Sequence, residues 1–304
     1  MSVVAHKLSS LDAQAMQSMR AMFAGAPKLK FEPASRAAFD EIMARAPAPQ
    51  TVRFEQEEVG GVAGWWCRPA RADGRAVVLY LHGGGYVMGS SAAYRNFVGT
   101  IAERAGVAAF VADYALAPEE PFPAALNQIR ALHEDLLGRG YERIALCGDS
   151  AGAGLALSFL AGKAVRPDRI VGVAAMSPWI DLSLSGDSMV SRDADDPFLS
   201  RATLAEAAAL YRGEHGSDDP RLTPLDCDIL TMPPVRIDVG SAEVLLDDSL
   251  RFAKKAERAG LSCEVHVWEG MVHVFPSNFA MLQAAAQAVE DIGSFLAGVL
   301  ETKR

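Results

Sequence analysis

The residues best suited to chemistry in this chain are a serine between glycines, GDSAG at 148–152, a run HGGGY at 82–86, and a histidine within GMVHVF at 270–275. Small residues two positions before and after Ser150 let its hydroxyl protrude from a crowded strand-to-helix turn, and the N–H of Ala151 then faces the same point. A helix rich in Ala and Leu starts there and adds its positive end. Ser as a plain helix cap is the competing reading. Three consecutive glycines, Gly83 to Gly85, expose backbone N–H groups with no side chain in the way, as a developing oxyanion requires. For an isolated triplet the competing reading is a flexible turn. A lone His after a strand is more often a core or rim residue than a base. The order serine, acid, His273 is nevertheless that of one known class of nucleophile triad.

The acid has three candidates in VGSAEVLLDDS, residues 239–249: Glu243, Asp247 and Asp248. Glu243 falls in the first loop after the apolar run VRIDVG, where it can meet an imidazole. Asp247 and Asp248 open a helix that ends in Lys254, Lys255 and Arg258 before Gly260. Acid at the start and base at the end match the helix macrodipole, so these two read as structural. Glu243 is favoured, with Asp247 as the alternative acid.

These residues must be positioned by the elements between them. FEQEEV and VAGWWCRPA read as antiparallel strands after the linker APAPQ at 46–50. Beyond them short apolar runs alternate with helical patterns. The strands are AVVLYLH (76–82), VAAFVADY (107–114), RIALCGD (143–149), IVGVAAMS (170–177), VRIDVG (235–240) and CEVHVWEG (263–270). Helices are expected at 8–25, 34–46, 91–105, 123–138, 151–163, 201–212, 248–259 and 278–299. Such alternation gives an α/β fold with a mostly parallel sheet covered by helices on both faces. Ligands gather at the carboxyl ends of its strands, and the residues above all follow strand ends.

Composition excludes several other classes. Half the residues are hydrophobic and 22% charged, which is globular and not disordered. A net charge of −9 with no basic cluster argues against a nucleic-acid or anionic-membrane partner. No apolar run approaches a membrane span, and the first residues lack the apolar core of a signal peptide. Cys67, Cys147, Cys227 and Cys263 form no CxxC pair, and the six histidines show no HExxH spacing, so no metal site is expected. Dispersed thiols fit a reduced, cytoplasmic setting.

Taken together, HGGGY, DYALAPEEPFPAA (113–125), GDSAG, SPWIDL (177–182) and GMVHVF resemble the signature blocks of the hormone-sensitive-lipase-like family of α/β-hydrolase carboxylesterases, in their order. The blocks span residues 82–275. The resemblance implies an eight-stranded sheet under a helical cap made from residues 1–45 and 185–220, with 46–184 and 221–304 as the catalytic domain. It implies hydrolysis of short- to medium-chain carboxylic esters with no cofactor. Carried over by position, Ser150 is the nucleophile, His273 the general base and acid, and Glu243 the acid; Gly84, Gly85 and Ala151 donate to the oxyanion. His82 props the glycine loop. The chain departs from the family in Glu243 where Asp is usual, in Ala115 where Arg is usual, and in Ala153 where Gly is frequent.

Tyr86, Val87, Phe198, Leu199, Tyr211, Val274 and Phe275 adjoin these loops and are candidate pocket residues, with core packing as the plainer reading. The acidic segment 191–200 reads as a solvated loop at a cap hinge or rim. The expected partner is a small-molecule ester. Dimers are common in the family, so a homodimer is a candidate assembly. An amidase, deacetylase or thioesterase would use the same residues, and a non-catalytic ligand receptor is the alternative from another class.

Overall fold

The computed structural model describes residues 2–70, 72, 74–161, 169–215, 219–227, 229 and 232–301. The end of the helix expected at 151–163 and part of the expected cap segment at 185–220 therefore lie outside the described residues.

The chain runs β1 (Ser2–His6), α1 (Ser10–Phe23), α2 (Arg36–Met43), β2 (Val52–Val59), β3 (Val62–Pro69), β4 (Ala76–Leu81), α3 (Ser91–Ala105), β5 (Ala108–Ala112) and α4 (Ala124–Gly138). It continues with β6 (Arg143–Asp149), α5 (Ser150–Ala161), β7 (Ile170–Met176), α6 (Ser188–Ser191), α7 (Arg201–Arg212), β8 (Val235–Gly240), α8 (Leu246–Arg258), β9 (Cys263–Trp268) and α9 (Gln283–Leu300).

The strands form one sheet in the order β1-β9-β8-β7-β6-β4-β5-β3-β2, parallel from β1 to β5, with β3 and β2 antiparallel at the far edge. This is the α/β-hydrolase fold. All eight expected strands are present, and β1 is a ninth. Residues 2–6 were expected within the cap; they instead pair with β9 at the sheet edge, where the His6 ring stacks on Trp268 at 3.7 Å. Five residues, SVVAH, without polar–apolar alternation carry too weak a pattern to be read without the edge they complete.

Strand β4 shows why the central strands read as unbroken apolar runs. Val77, Leu79 and Leu81 enter one core with Ile129 of α4, Leu155 of α5 and Phe252 of α8. Ala76, Val78 and Tyr80 enter the opposite core with Phe97 of α3 and Ile292 of α9. Side chains alternate between faces, and both faces are roofed by helices, so no position is free to be polar. Truncating Leu79 to Ala would cost about 2–5 kcal/mol.

Helices end and begin on local signals. Ser90 accepts from the Ala93 N–H at the start of α3, and Gly106 closes that helix in the left-handed region at φ 64°. Ser200 and Thr203 form a reciprocal cap on α7.

From Arg20 of α1 to Arg36 of α2 the chain bonds to loops that follow the strands. Arg20 reaches the carbonyls of Asp195 and Gly270, Leu29 N–H donates to Phe198 O at 2.9 Å, and Lys28 bonds the carbonyls of Asp193 and Asp196. Phe31 is buried against Gly85, where a Cβ would come within 2.4 Å of its ring. Arg36 donates to the carbonyls of Val87 and Ala117 and pairs with Glu119.

Candidate active site

Strand β6 delivers Ser150 directly into α5, and the backbone there is forced to φ 50°, a left-handed conformation uncommon outside glycine. The strain is sustained by close packing on β4. A Cβ on Gly152 would lie 2.1 Å from Leu81 O and 2.4 Å from His82 O, so only glycine lets α5 approach the end of β4. Because β4 and β6 are neighbours, the loop 82–86 lies alongside the serine.

In that loop Gly84 takes φ 114°, and a Cβ on it would meet Met88 O at 2.2 Å. His82 is fully buried, with Nδ1 2.8 Å from Gly83 O and its ring stacked on Tyr114 at 4.4 Å; the Tyr114 hydroxyl donates to His82 O. Burial pulls its pKa below the ordinary histidine value, so the ring is a neutral prop for the loop. Among the described residues the N–H groups of Gly84 and Gly85 have no hydrogen-bond acceptor.

Asp149 joins these two loops. Its Oδ1 accepts from Tyr80 Oη at 2.8 Å and from Gly83 N–H at 2.9 Å, and its Oδ2 accepts from Tyr94 Oη at 3.0 Å. Burial pushes this carboxyl up to about 6, against the pull of its three donors and of His273. Asp149 is a functional residue that the motifs do not single out; its signal is a carboxylate inside GDSAG at the end of an apolar strand, where it needs partners.

On the other side of the serine, His273 follows β9 and Glu243 follows β8. His273 Nε2 lies 2.9 Å from Ser150 Oγ, and its Nδ1 lies 2.7 Å from Glu243 Oε2. Burial pulls His273 down, but the bond to Glu243 and that carboxylate's charge, with Asp196 and Asp149 beyond, outweigh it and raise the imidazole above its ordinary value. Glu243 is fully buried, and its Oε1 accepts from Gly240 N–H at 2.7 Å and from Ser177 Oγ at 2.8 Å.

The other two acids of the stretch do different work. Asp247 accepts from Ser188 N–H at 2.8 Å. Asp248 is fully buried, and its Oδ2 accepts the N–H groups of Ile180 and Asp181 at 2.8 and 2.9 Å. Burial pushes Asp248 up to about 8, so it is more than a helix-front charge facing water.

The segment 191–200 is exposed at Ser191 and at residues 193–195, as a solvated loop would be, but Asp196 and Leu199 are buried. Asp196 is fully buried; its Oδ1 accepts from Phe198 and Leu199 N–H and its Oδ2 from Val244 N–H at 3.1 Å, which pins the segment to the loop of Glu243. Of the candidate pocket residues, Tyr86 is buried, stacked on Tyr211 at 3.8 Å and beside Trp179. Phe275 packs on Trp268 in a core cluster. Phe198 is half-buried and meets Phe23 edge-on at 5.1 Å.

Among the described residues no three His, Cys, Asp or Glu side chains are grouped to hold a metal ion, and no helix is long and apolar enough to cross a membrane. The geometry matches what acyl transfer needs: a strained hydroxyl, an imidazole raised by a carboxylate, and backbone donors nearby.

Residues 78–277 match a family defined by the alpha/beta hydrolase fold. The chain is 37% identical over 241 residues to an acetyl-hydrolase of Streptomyces hygroscopicus, spanning 78% of this chain and 80% of that protein. It is 33% identical over 266 residues to an esterase of Acinetobacter venetianus, spanning 86% and 88%. Among solved structures, an esterase from the bacterial hormone-sensitive lipase family superposes with a TM-score of 0.88 at 33% identity, covering 97% of this chain and all of that one.

Proposed function

This chain belongs to the hormone-sensitive-lipase-like esterases of the α/β-hydrolase fold and is a carboxylic ester hydrolase; from that premise we propose that it works through a serine acyl-enzyme on short- to medium-chain esters. In this reading Ser150, His273 and Glu243 are the triad, and the N–H groups of Gly84, Gly85 and Ala151 receive the oxyanion.

The observation that carries the reading is the unbroken chain of bonds from Ser150 Oγ through both imidazole nitrogens to Glu243. Ser150 Oγ attacks the ester carbonyl as its proton passes to His273 Nε2. The tetrahedral oxyanion is held by the three amides. Glu243 keeps the proton on Nδ1 and stabilises the imidazolium. His273 then gives its proton to the leaving alkoxide, and the alcohol departs. Water attacks the acyl-enzyme with His273 again as base, and the carboxylic acid leaves as Ser150 is restored.

The helical cap is read as α1, α2 and the stretch from 185 through α7. Support comes from the bonds of Arg20, Lys28 and Leu29 to residues 193–198, and from Arg36 over the glycine loop. Short acyl groups are favoured by the buried stack of Tyr86, Trp179 and Tyr211 beside that loop, and by the name of the acetyl-hydrolase relative. Four buried free thiols support a cytoplasmic setting.

The test is S150A assayed on a chain-length series of p-nitrophenyl esters. Turnover of the acetate and butyrate falls by about 10,000-fold or more with the fold intact, and a fluorophosphonate probe labels the wild type alone. A variant that keeps its turnover overturns the reading, and an unlabelled wild type turns it toward a ligand receptor.

A further inference from the structure

We infer that Ser177 is a positioning residue for the triad, its hydroxyl fixing the loop that carries Glu243 against the loop that carries His273. The inference rests on the serine-esterase reading above and adds to it a fourth side chain that touches no substrate.

Ser177 follows β7, which lies in the sheet between the strands that deliver Ser150 and Glu243. Its side chain is fully buried and its backbone holds φ 47°. The backbone N–H donates to Asp238 O on β8 at 2.8 Å, which ties the turn to the next strand. Oγ lies 2.8 Å from Glu243 Oε1 and accepts the N–H of Val274 at 3.0 Å. Val274 directly follows His273 and is itself left-handed at φ 50°. An amide can only donate and a carboxylate can only accept, so the direction is forced. The Val274 N–H donates a hydrogen bond to Ser177 Oγ, and the Ser177 hydroxyl donates one to Glu243 Oε1.

The arrangement answers a problem specific to this chain. A glutamate at the acid position has one more torsion than an aspartate, and its carboxylate can swing away from the imidazole. Two donors on Oε1, Gly240 N–H from the strand end and Ser177 Oγ from the neighbouring loop, fix the carboxylate so that Oε2 points at Nδ1. The same hydroxyl restrains the backbone beside His273. The charged groups facing His273 are Glu243 from the loop after β8, Asp149 from the end of β6 and Asp196 from the segment over the site; Ser177 is the neutral contact that orients the first of these.

The test compares S177A, S177G, E243Q and the double variant S177A/E243Q with wild type on p-nitrophenyl butyrate across pH. Losing one such hydrogen bond lowers kcat by about tenfold, with KM unchanged. The acid limb of the pH profile moves to lower pH, because the carboxylate supports the imidazolium less well. In the E243Q background S177A costs under about threefold, since the group it positions is already disabled. S177G removes the hydroxyl while tolerating the left-handed backbone, so it carries the test if S177A fails to fold. If both variants keep kcat within about threefold and the acid limb stays put, Ser177 only holds the turn and the inference fails. A full-sized effect of S177A in the E243Q background also overturns it. S150A measured alongside separates the cases: if it stays active, the esterase reading itself has fallen.

Discussion

At the ends of β4 and β6, the residues around Ser150 owe their placement to what side chains leave out. At the ends of β7, β8 and β9, Ser177, Glu243 and His273 owe theirs to what side chains bond. In the first region Gly152 and Gly84 allow backbone to meet backbone, and one buried carboxylate, Asp149, bolts the glycine loop to the nucleophile turn. In the second, Gly240 also brings backbone to backbone, since a Cβ there would lie 2.2 Å from Met271 O, but bonds made by side chains aim the functional groups. A relay runs from Val274 N–H through Ser177 to Glu243, then through His273 to Ser150. Steric fit tolerates little change of size, whereas a hydrogen-bonded relay tolerates changes that preserve donors and acceptors, including Glu in place of Asp.

The largest blow to the relay side is E243Q. A carboxamide can present its N–H to Nδ1 and favour the wrong tautomer, so kcat falls by about 10,000-fold. Wild-type turnover needs neutral His273, whose pKa is raised, so its acid limb has a midpoint above 6.5; E243Q moves the limb lower. D247N, which loses only charge near Ser188, stays within about twofold of wild type. If the two variants exchanged effects in steady-state assays, the acid would be Asp247 and the relay would have to be redrawn.

On the steric side the matching change is D149N. It keeps the acceptor for Gly83 N–H but weakens the bond to Tyr94 and removes a charge near His273. A loss of about tenfold in kcat/KM is expected from one weakened charge-assisted bond. A loss as large as that of E243Q would mean that both regions depend on buried charge equally.

Only a small effect on turnover is expected from D248N, which reports on stability instead. The carboxyl is raised from 3.8 to about 8, so the folded chain holds that proton more tightly than the unfolded one. Its stabilising contribution is complete below about pH 4 and is lost as pH rises through about 8. Urea unfolding across pH 5 to 9 should show D248N gaining on the wild type by a few kcal/mol as pH rises, with activity within about threefold. A pH-independent difference would show that Asp248 is ionised throughout.

Much of the steric region was legible in the sequence, because a residue defined by lacking a side chain can be read as a letter. Gly84 and the glycines flanking Ser150 mark where backbones must touch, and Gly83 and Gly85 mark where side chains press on backbone. Strands β4 to β7 were legible for a similar reason: burial on both faces leaves nearly unbroken apolar runs. β1 was not, since its partner β9 lies some 260 residues away, as the pairing of Ser2 with Glu264 shows. Glu243 was reached by its position after a strand, and its choice over Asp247 rested on the helix that Asp247 and Asp248 open. Ser177 and Asp196 had no legible role, because neither a serine after a strand nor an aspartate in an acidic loop announces its partner.

From its order of residues alone, this chain determined the alternation of strands and helices and the places where only glycine fits, since both follow from local sterics and from which faces are buried. Which carboxylate meets the imidazole, which hydroxyl holds that carboxylate, and which acids lose their water were decided by tertiary structure. Those are matters of distance between strand ends far apart in the chain, and a bond effective over about 3 Å is set only once the sheet has brought its ends together.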